Sequence, residues 1–252
     1  TVLSRGLGDV YKRQEYDGSS FIGWQIQNKG NSVQKLIQSI FKKLYKRKIK
    51  VYGSGRTDTG VHAIEQSAHF EIDKKIPDIK KFIKSLNFFL NKKNVSILNV
   101  IQKDGNFHSR YSARERTYLY LIRNSISPSV LNKNKEWHVV KKLDINKLKK
   151  AASCLTGTHN FSTFRASNCD AKSSIKTIRK IQISKSKSLI KIRFISKSFL
   201  KSQVRSMVGC LKYVGQNKWD IKKFIYVINS KKRENCAPLA PAKGLYLEKV
   251  KY

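Results

Sequence analysis

The stretch GSGRTDTGVHA, residues 53–63, sets three glycines, two threonines, an arginine and an aspartate between the strand-like run IKVY and a return to apolar residues. Asp58 at its centre has two readings. Aspartate suits tight turns because its side chain bonds its own backbone; it is also a carboxylate carried on a loop where glycines let another molecule come close. The patterns on either side set the fold class. From Ser32, a suitable N-cap, Val33, Leu36, Ile37, Ile40, Phe41 and Leu44 recur on one helical face. A second helix is predicted over 78–90, with Ile79, Phe82, Ile83, Leu86 and Leu90 inward, and a third after the cap-like Asp144, with Ile145, Leu148, Ala151, Ala152 and Leu155. Strand patterns interleave with these helices: IKVYGS, EQSAHFEI, VSILNVIQ, RTYLYLIRN, IKTIRKIQIS and LIKIRFIS. The whole reads as an α+β fold in which the second half repeats the helix, loop and strand order of the first.

The chain has 252 residues with 40% hydrophobic content, enough for a large core. Its 53 basic and 16 acidic side chains leave a formal charge of +37. A field of that sign favours a polyanionic partner whose condensed counterions are released on binding, and nucleic acid leads among these. A genome-wide bias toward lysine accounts for part of the excess. The four cysteines, Cys154, Cys169, Cys210 and Cys236, form no C-x-x-C pair, so neither a zinc site nor a disulfide framework is indicated. No apolar run reaches the length of a membrane span, which leads to the expectation of a cytoplasmic protein.

Several chemistries lack their signatures. The glycine loop has neither the GK[ST] of a phosphate-binding loop nor the spacing of a dinucleotide site. His62, His69, His108, His138 and His159 show no metal-ligand spacing, and no serine stands in a G-x-S-x-G elbow. No metal and no cofactor are expected. Three further polar patches stand in apolar surroundings: FHSRYSARERTYLY (107–120), GTHNFSTFRAS (157–167) and FLKSQVRSMVGCL (199–211).

Together with EYDGSSFIGWQIQ (15–27) and APLAPAKGLYLEKVKY (237–252), these segments resemble, in order and spacing, the tRNA pseudouridine synthases of the TruA family. The resemblance runs from Glu15 to Tyr252. It implies two similar subdomains sharing a mostly antiparallel mixed sheet flanked by helices, with a central RNA-binding cleft. It also implies a cofactor-free isomerase, a homodimer, that converts uridine to pseudouridine in the tRNA anticodon stem-loop, at nucleotides 38–40. Such a reaction requires the base to leave the stack. By resemblance Asp58 is the essential carboxylate, attacking ribose or base or removing a ribose proton, alternatives that the residues leave open. Arg205 is the cation that keeps the carboxylate ionised, and Tyr118 the phenol that holds the base and serves in proton transfer. Substrate contacts are implied for Arg56, Thr57, His62, Arg110, Arg165 and Tyr118, with Arg56 propping the vacated stack.

One segment departs from the family pattern. TVLSRGLGDVYKRQ, residues 1–14, lacks the alternation of a first strand, and the expectation is a non-native leader that damages that strand. The expected organisation is then 15–105 as the subdomain with the catalytic loop, 106–143 as a connecting strand and loop, and 144–252 as the second subdomain. The competing reading is a non-catalytic basic RNA-binding protein or RNA chaperone, using Phe21, Trp24 and Tyr118 to stack bases. Such a protein has no need of Asp58.

Overall fold

A computed structural model describes residues 9–72, 76–103 and 107–252. In chain order the elements are β1 (Asp9–Tyr16), α1 (Val33–Tyr45), β2 (Tyr52–Gly53), β3 (His62–Glu71), α2 (Ile79–Leu90), β4 (Val95–Lys103), β5 (Glu115–Asn124) and β6 (Trp137–Val139), followed by α3 (Ile145–Ser153), β7 (Gly157–Asn160), β8 (Ile175–Ser186), β9 (Leu189–Ser196), α4 (Gln203–Gly215), α5 (Ile221–Ser230) and β10 (Leu245–Lys251). The class is α+β and the strand pairs are mostly antiparallel. The chain forms two compact units, one from residues 1–114 with 247–252, the other from 115–246.

In the first unit the strands run β4-β1-β3-β10, with β2 on β3. Two helices supply the apolar layer. Ser32 accepts the Lys35 amide and starts α1, which buries Val33, Ile37, Ile40 and Phe41; Asp78 does the same for α2, which buries Phe82, Leu86 and Leu90. The Phe41 ring lies 4.6 Å from Phe70 of β3 and 6.4 Å from Phe82, so helices and strand close on one aromatic cluster. The IKVYGS strand shrinks to two residues. Side chains of α1 take over its backbone instead: Gln38 Oε1 accepts the Val51 amide at 3.1 Å and Gln34 Nε2 donates to the Val51 carbonyl at 2.7 Å.

Residues 1–8 of the expected leader lie outside the described residues, and 9–14 form most of β1. This strand pairs on both sides, with β3 and β4, through its whole length. What departs from the apolar pattern is one face: Val10, Lys12 and Gln14 are all fully buried. The Lys12 ammonium donates to Gln14 Oε1 at 2.7 Å and stands 5.9 Å over the Trp24 ring.

In the second unit the order is β5-β9-β8-β7, antiparallel throughout, with the short β6 parallel to β5. Pairs such as Tyr118 with Phe194 and Tyr120 with Ile192 fix the β5–β9 register. Asp144 and Asp220 cap α3 and α5 through the amides of Lys147 and Lys223. The central helix is α4, buried along most of its length. Two glycines permit that burial. A Cβ on Gly209 would stand 2.2 Å from the Pro238 carbonyl, and one on Gly215 would stand 2.9 Å from Leu148.

Candidate active site

In the first unit, Arg56, Thr57 and Asp58 stand on the loop between β2 and β3, and His62 is the first residue of β3. Asp58, Thr59, Gly60 and Val61 make a turn: the Val61 amide donates to the Asp58 carbonyl at 3.1 Å and Gly60 adopts φ +76. A positive φ at that position suits glycine, as in a type II turn. Asp58 is half-buried and Arg56 exposed, while Thr57 and His62 are buried.

The loop is fastened from below by residues 16–24. The Trp24 amide donates to the Thr57 carbonyl and the Gly60 amide to the Phe21 carbonyl, both at 3.2 Å. The Thr59 hydroxyl donates to the Ile22 carbonyl at 3.1 Å, and the Tyr16 and Thr57 hydroxyls share a hydrogen bond of 2.8 Å. His62 Nδ1 accepts the Gly18 amide at 3.0 Å, with an Asp17 carboxylate oxygen 3.2 Å away. The approach is so close that a Cβ on Gly18 would meet the Val61 carbonyl at 2.0 Å and one on Gly23, which has φ +103, would meet the Thr57 carbonyl at 2.3 Å. On the β3 side, Gln66 accepts from the Ser54 hydroxyl at 2.7 Å and donates to the Gly55 carbonyl at 3.0 Å. The loop that carries Asp58 is thus fixed along its backbone before any substrate arrives.

Tyr16, Gly18 and Gly23 therefore support the site, although no role follows for them from sequence alone. Their signal was the EYDGSSFIGW segment itself, a second glycine-spaced stretch without chemistry of its own. Arg110 lies in the 107–112 turn of the same unit, where its amide donates to His108 Nδ1 at 3.1 Å and its guanidinium stands 5.7 Å over the Tyr111 ring.

The second unit carries Tyr118, Arg165 and Arg205. Tyr118 sits on β5, 9% exposed, with its ring edge-on to Phe199 at 5.2 Å. Arg205 is on the first turn of α4, half-buried, and its Nε donates to the Ala240 carbonyl at 2.8 Å. That bond orients the planar fork rather than leaving a flexible surface cation. Arg165 is committed locally: its guanidinium donates to the Ser174 hydroxyl and the Cys169 carbonyl and so closes the 165–174 loop. The base-stacking role expected of Phe21 and Trp24 fails, because they are only 6% and 2% exposed and pack inside the first unit. Among the described residues no group of three or more His, Cys, Asp or Glu could hold a metal ion, and no helix is long and apolar enough to cross a membrane.

Comparison with known proteins gives the family. The family described as tRNA pseudouridine synthase matches residues 13–112 and 151–252, spans that contain the whole Asp58 loop and the Arg205 helix. The chain is 55% identical over 238 residues to the tRNA pseudouridine synthase A of Pelagibacter ubique (strain HTCC1062), covering 94% of this chain and 97% of that protein. It is 40% identical to the protein of the same name from Parvibaculum lavamentivorans, over 94% and 96% of the two chains, and 39% identical to that of Maricaulis maris, over 94% and 95%. With its glycine-supported carboxylate loop inside the matched region, the chain belongs to the tRNA pseudouridine synthase family.

Proposed function

We propose that this isomerase converts uridine to pseudouridine in the anticodon stem-loop of tRNA, with Asp58 as the essential carboxylate. The observation that carries the assignment is the Asp58 turn: a half-exposed carboxylate whose neighbours Thr57, Thr59, Gly60 and Val61 are each hydrogen-bonded, next to an exposed arginine. Arg56 props the stack when the target base leaves it. Tyr118 handles the detached base and Arg205 supplies the cation of the reaction; the Ala240 carbonyl supports the latter role by fixing the direction of its guanidinium. The +37 charge supports broad phosphate contact, with selection by the shape of the RNA rather than by base reading. The active form is a homodimer in the cytoplasm. A clean monomer by light scattering at micromolar concentration would remove the dimer.

The test of the assignment is Asp58→Asn. Phosphate contacts dominate affinity, so binding to tRNA should stay within a few-fold of the unaltered protein, whereas tritium release from uridine-labelled tRNA should vanish. Continued release by the variant would overturn the role of Asp58.

A further inference from the structure

Four thiols are spread along the second unit, and the fold brings two of them together. Cys210 lies on α4 and Cys236 follows the short 3-10 turn Arg233–Asn235; their sulfur atoms are 3.4 Å apart although 26 residues separate them. Both are reduced. Their surroundings differ. Cys210 is fully buried and accepts the Ala237 amide at 3.4 Å, while Cys236 is half-buried and its sulfur lies 3.9 Å from the Ser206 carbonyl. Arg233 stands beside them, donating to the Ser206 hydroxyl at 2.7 Å and to the Thr163 carbonyl. The hydrogen bond from Cys210, followed by the nearby Arg233 charge, holds the Cys236 thiol below its ordinary value; the same hydrogen bond and burial push Cys210 up. One sulfur is thus more accessible and closer to the thiolate, and its partner is a sheltered proton donor within reach.

We propose that Cys210 and Cys236 form a peroxide-reactive dithiol, with Cys236 as the attacking sulfur and Cys210 as the resolving one. The Cys236 thiolate attacks one oxygen of hydrogen peroxide; the O–O bond breaks and the leaving hydroxide takes a proton to become water, leaving a sulfenic acid. The Cys210 sulfur then attacks the sulfenyl sulfur, the S–O bond breaks, and the departing hydroxide leaves as a second water with the Cys210 proton. Two thiols and one peroxide give one disulfide and two waters, each sulfur losing one electron and the peroxide gaining two. Closure must shorten the contact from 3.4 Å to about 2.05 Å. The half-buried segment after Arg233 can supply that movement, whereas α4 cannot. The linked form would pin residues 236–240 onto α4, the stretch whose Pro238 carbonyl already abuts Gly209.

The experiment is peptide mapping by mass spectrometry of the purified, reduced protein after graded hydrogen peroxide. The expected result is a linked pair of peptides carrying Cys210 and Cys236, lost on treatment with a thiol reductant, at peroxide levels that leave Cys154 and Cys169 at least tenfold less oxidised. The resolving step is checked with Cys210→Ser, which should accumulate a dimedone adduct at Cys236. Should that variant fail to fold, dimedone competition in the unaltered protein gives the same information, because the adduct should appear at Cys236 and not at Cys210. Absence of the linked peptides, oxidation spread evenly over the four cysteines, or a dimedone adduct at Cys210 each overturns the proposal.

Discussion

Replacing Lys12 by methionine should stabilise the protein strongly at neutral pH and much less in alkali. Lys12 is fully buried on β1, and burial lowers its ammonium from the ordinary 10.5 to about 7. At pH 7 the unfolded lysine lies 3.5 units below its pKa and gains about 5 kcal/mol from its proton, while the folded one gains less than about 1. Relative to a neutral side chain of the same shape, lysine therefore costs the fold about 4 kcal/mol. Removing it also strips Gln14 Oε1 of its donor, and Gln14 Nε2 already lacks a partner. That loss offsets about 1–3 kcal/mol. A gain of about 1–3 kcal/mol remains, or a rise in Tm of roughly 2–12 °C for a chain of this size.

The sign of the pH effect follows from linkage. Between about 7 and 10.5 the unfolded chain binds more protons than the folded one, so the unaltered protein gains stability as pH rises through that window. By pH 9.5 the lysine costs less than about 2 kcal/mol, and the advantage of Lys12→Met should shrink to near zero. Thermal unfolding followed by circular dichroism at pH 7 and pH 9.5 measures both effects. Equal Tm values at pH 7, or an advantage that does not change with pH, would refute the reasoning.

Arg205→Met should leave Tm nearly unchanged and lower the rate of uridine isomerisation by orders of magnitude, with Arg205→Lys recovering part of it because the charge returns without the planar fork; near-normal turnover in the methionine variant would remove Arg205 from the chemistry. Gly23→Ala and Gly157→Ala each force alanine to φ +103, costing about 1–2 kcal/mol in chemical denaturation, but only the former drives a Cβ to 2.3 Å from the Thr57 carbonyl. Steady-state kinetics should therefore show kcat falling at least tenfold for Gly23→Ala and holding for Gly157→Ala. Burial, followed by the nearby His108, lowers His69 to about 4, so between about 6.5 and 4 the unfolded chain takes up the proton and stability falls on acidification. Urea titrations across that range should show a shallower acid loss in His69→Gln.

Local features were legible in the sequence and distant ones were not. The helices after Ser32, Asp78 and Asp144 could be read because cap and apolar period lie within a few residues, and all three caps accept the expected amide. The LIKIRFIS strand has the predicted bounds because its alternation is uninterrupted. β1 was obscured by Lys12 and Gln14, which occupy inward positions where the pattern asks for apolar residues. IKVYGS read as a full strand because nothing in it reveals that Gln34 and Gln38 would take its backbone bonds. At the candidate site, Asp58 stood out through its glycine loop. The Tyr16–Thr57 bond spans 41 residues and the Cys210–Cys236 contact spans 26, and neither separation carries a period or spacing that a sequence pattern could expose.

The return of the chain to its first unit bears on synthesis at the ribosome. Arg114 ends the early part of that unit, and the strand that joins β1 and the two-residue β2 beside β3 is completed by Leu247–Tyr252. The Arg114 amide is held by the Lys251 carbonyl at 2.9 Å, and the Tyr252 hydroxyl donates to the Ser109 carbonyl at 2.9 Å. The two parts are separated by 132 residues (115–246). At about 5–20 residues per second, a nascent chain waits roughly 7–26 s with most of that β3 edge open before the strand that closes it has been made. During that interval the unit holding the Asp58 loop is an unfinished sheet with an unpaired border, the kind of surface that recruits other strands and that chaperones shield.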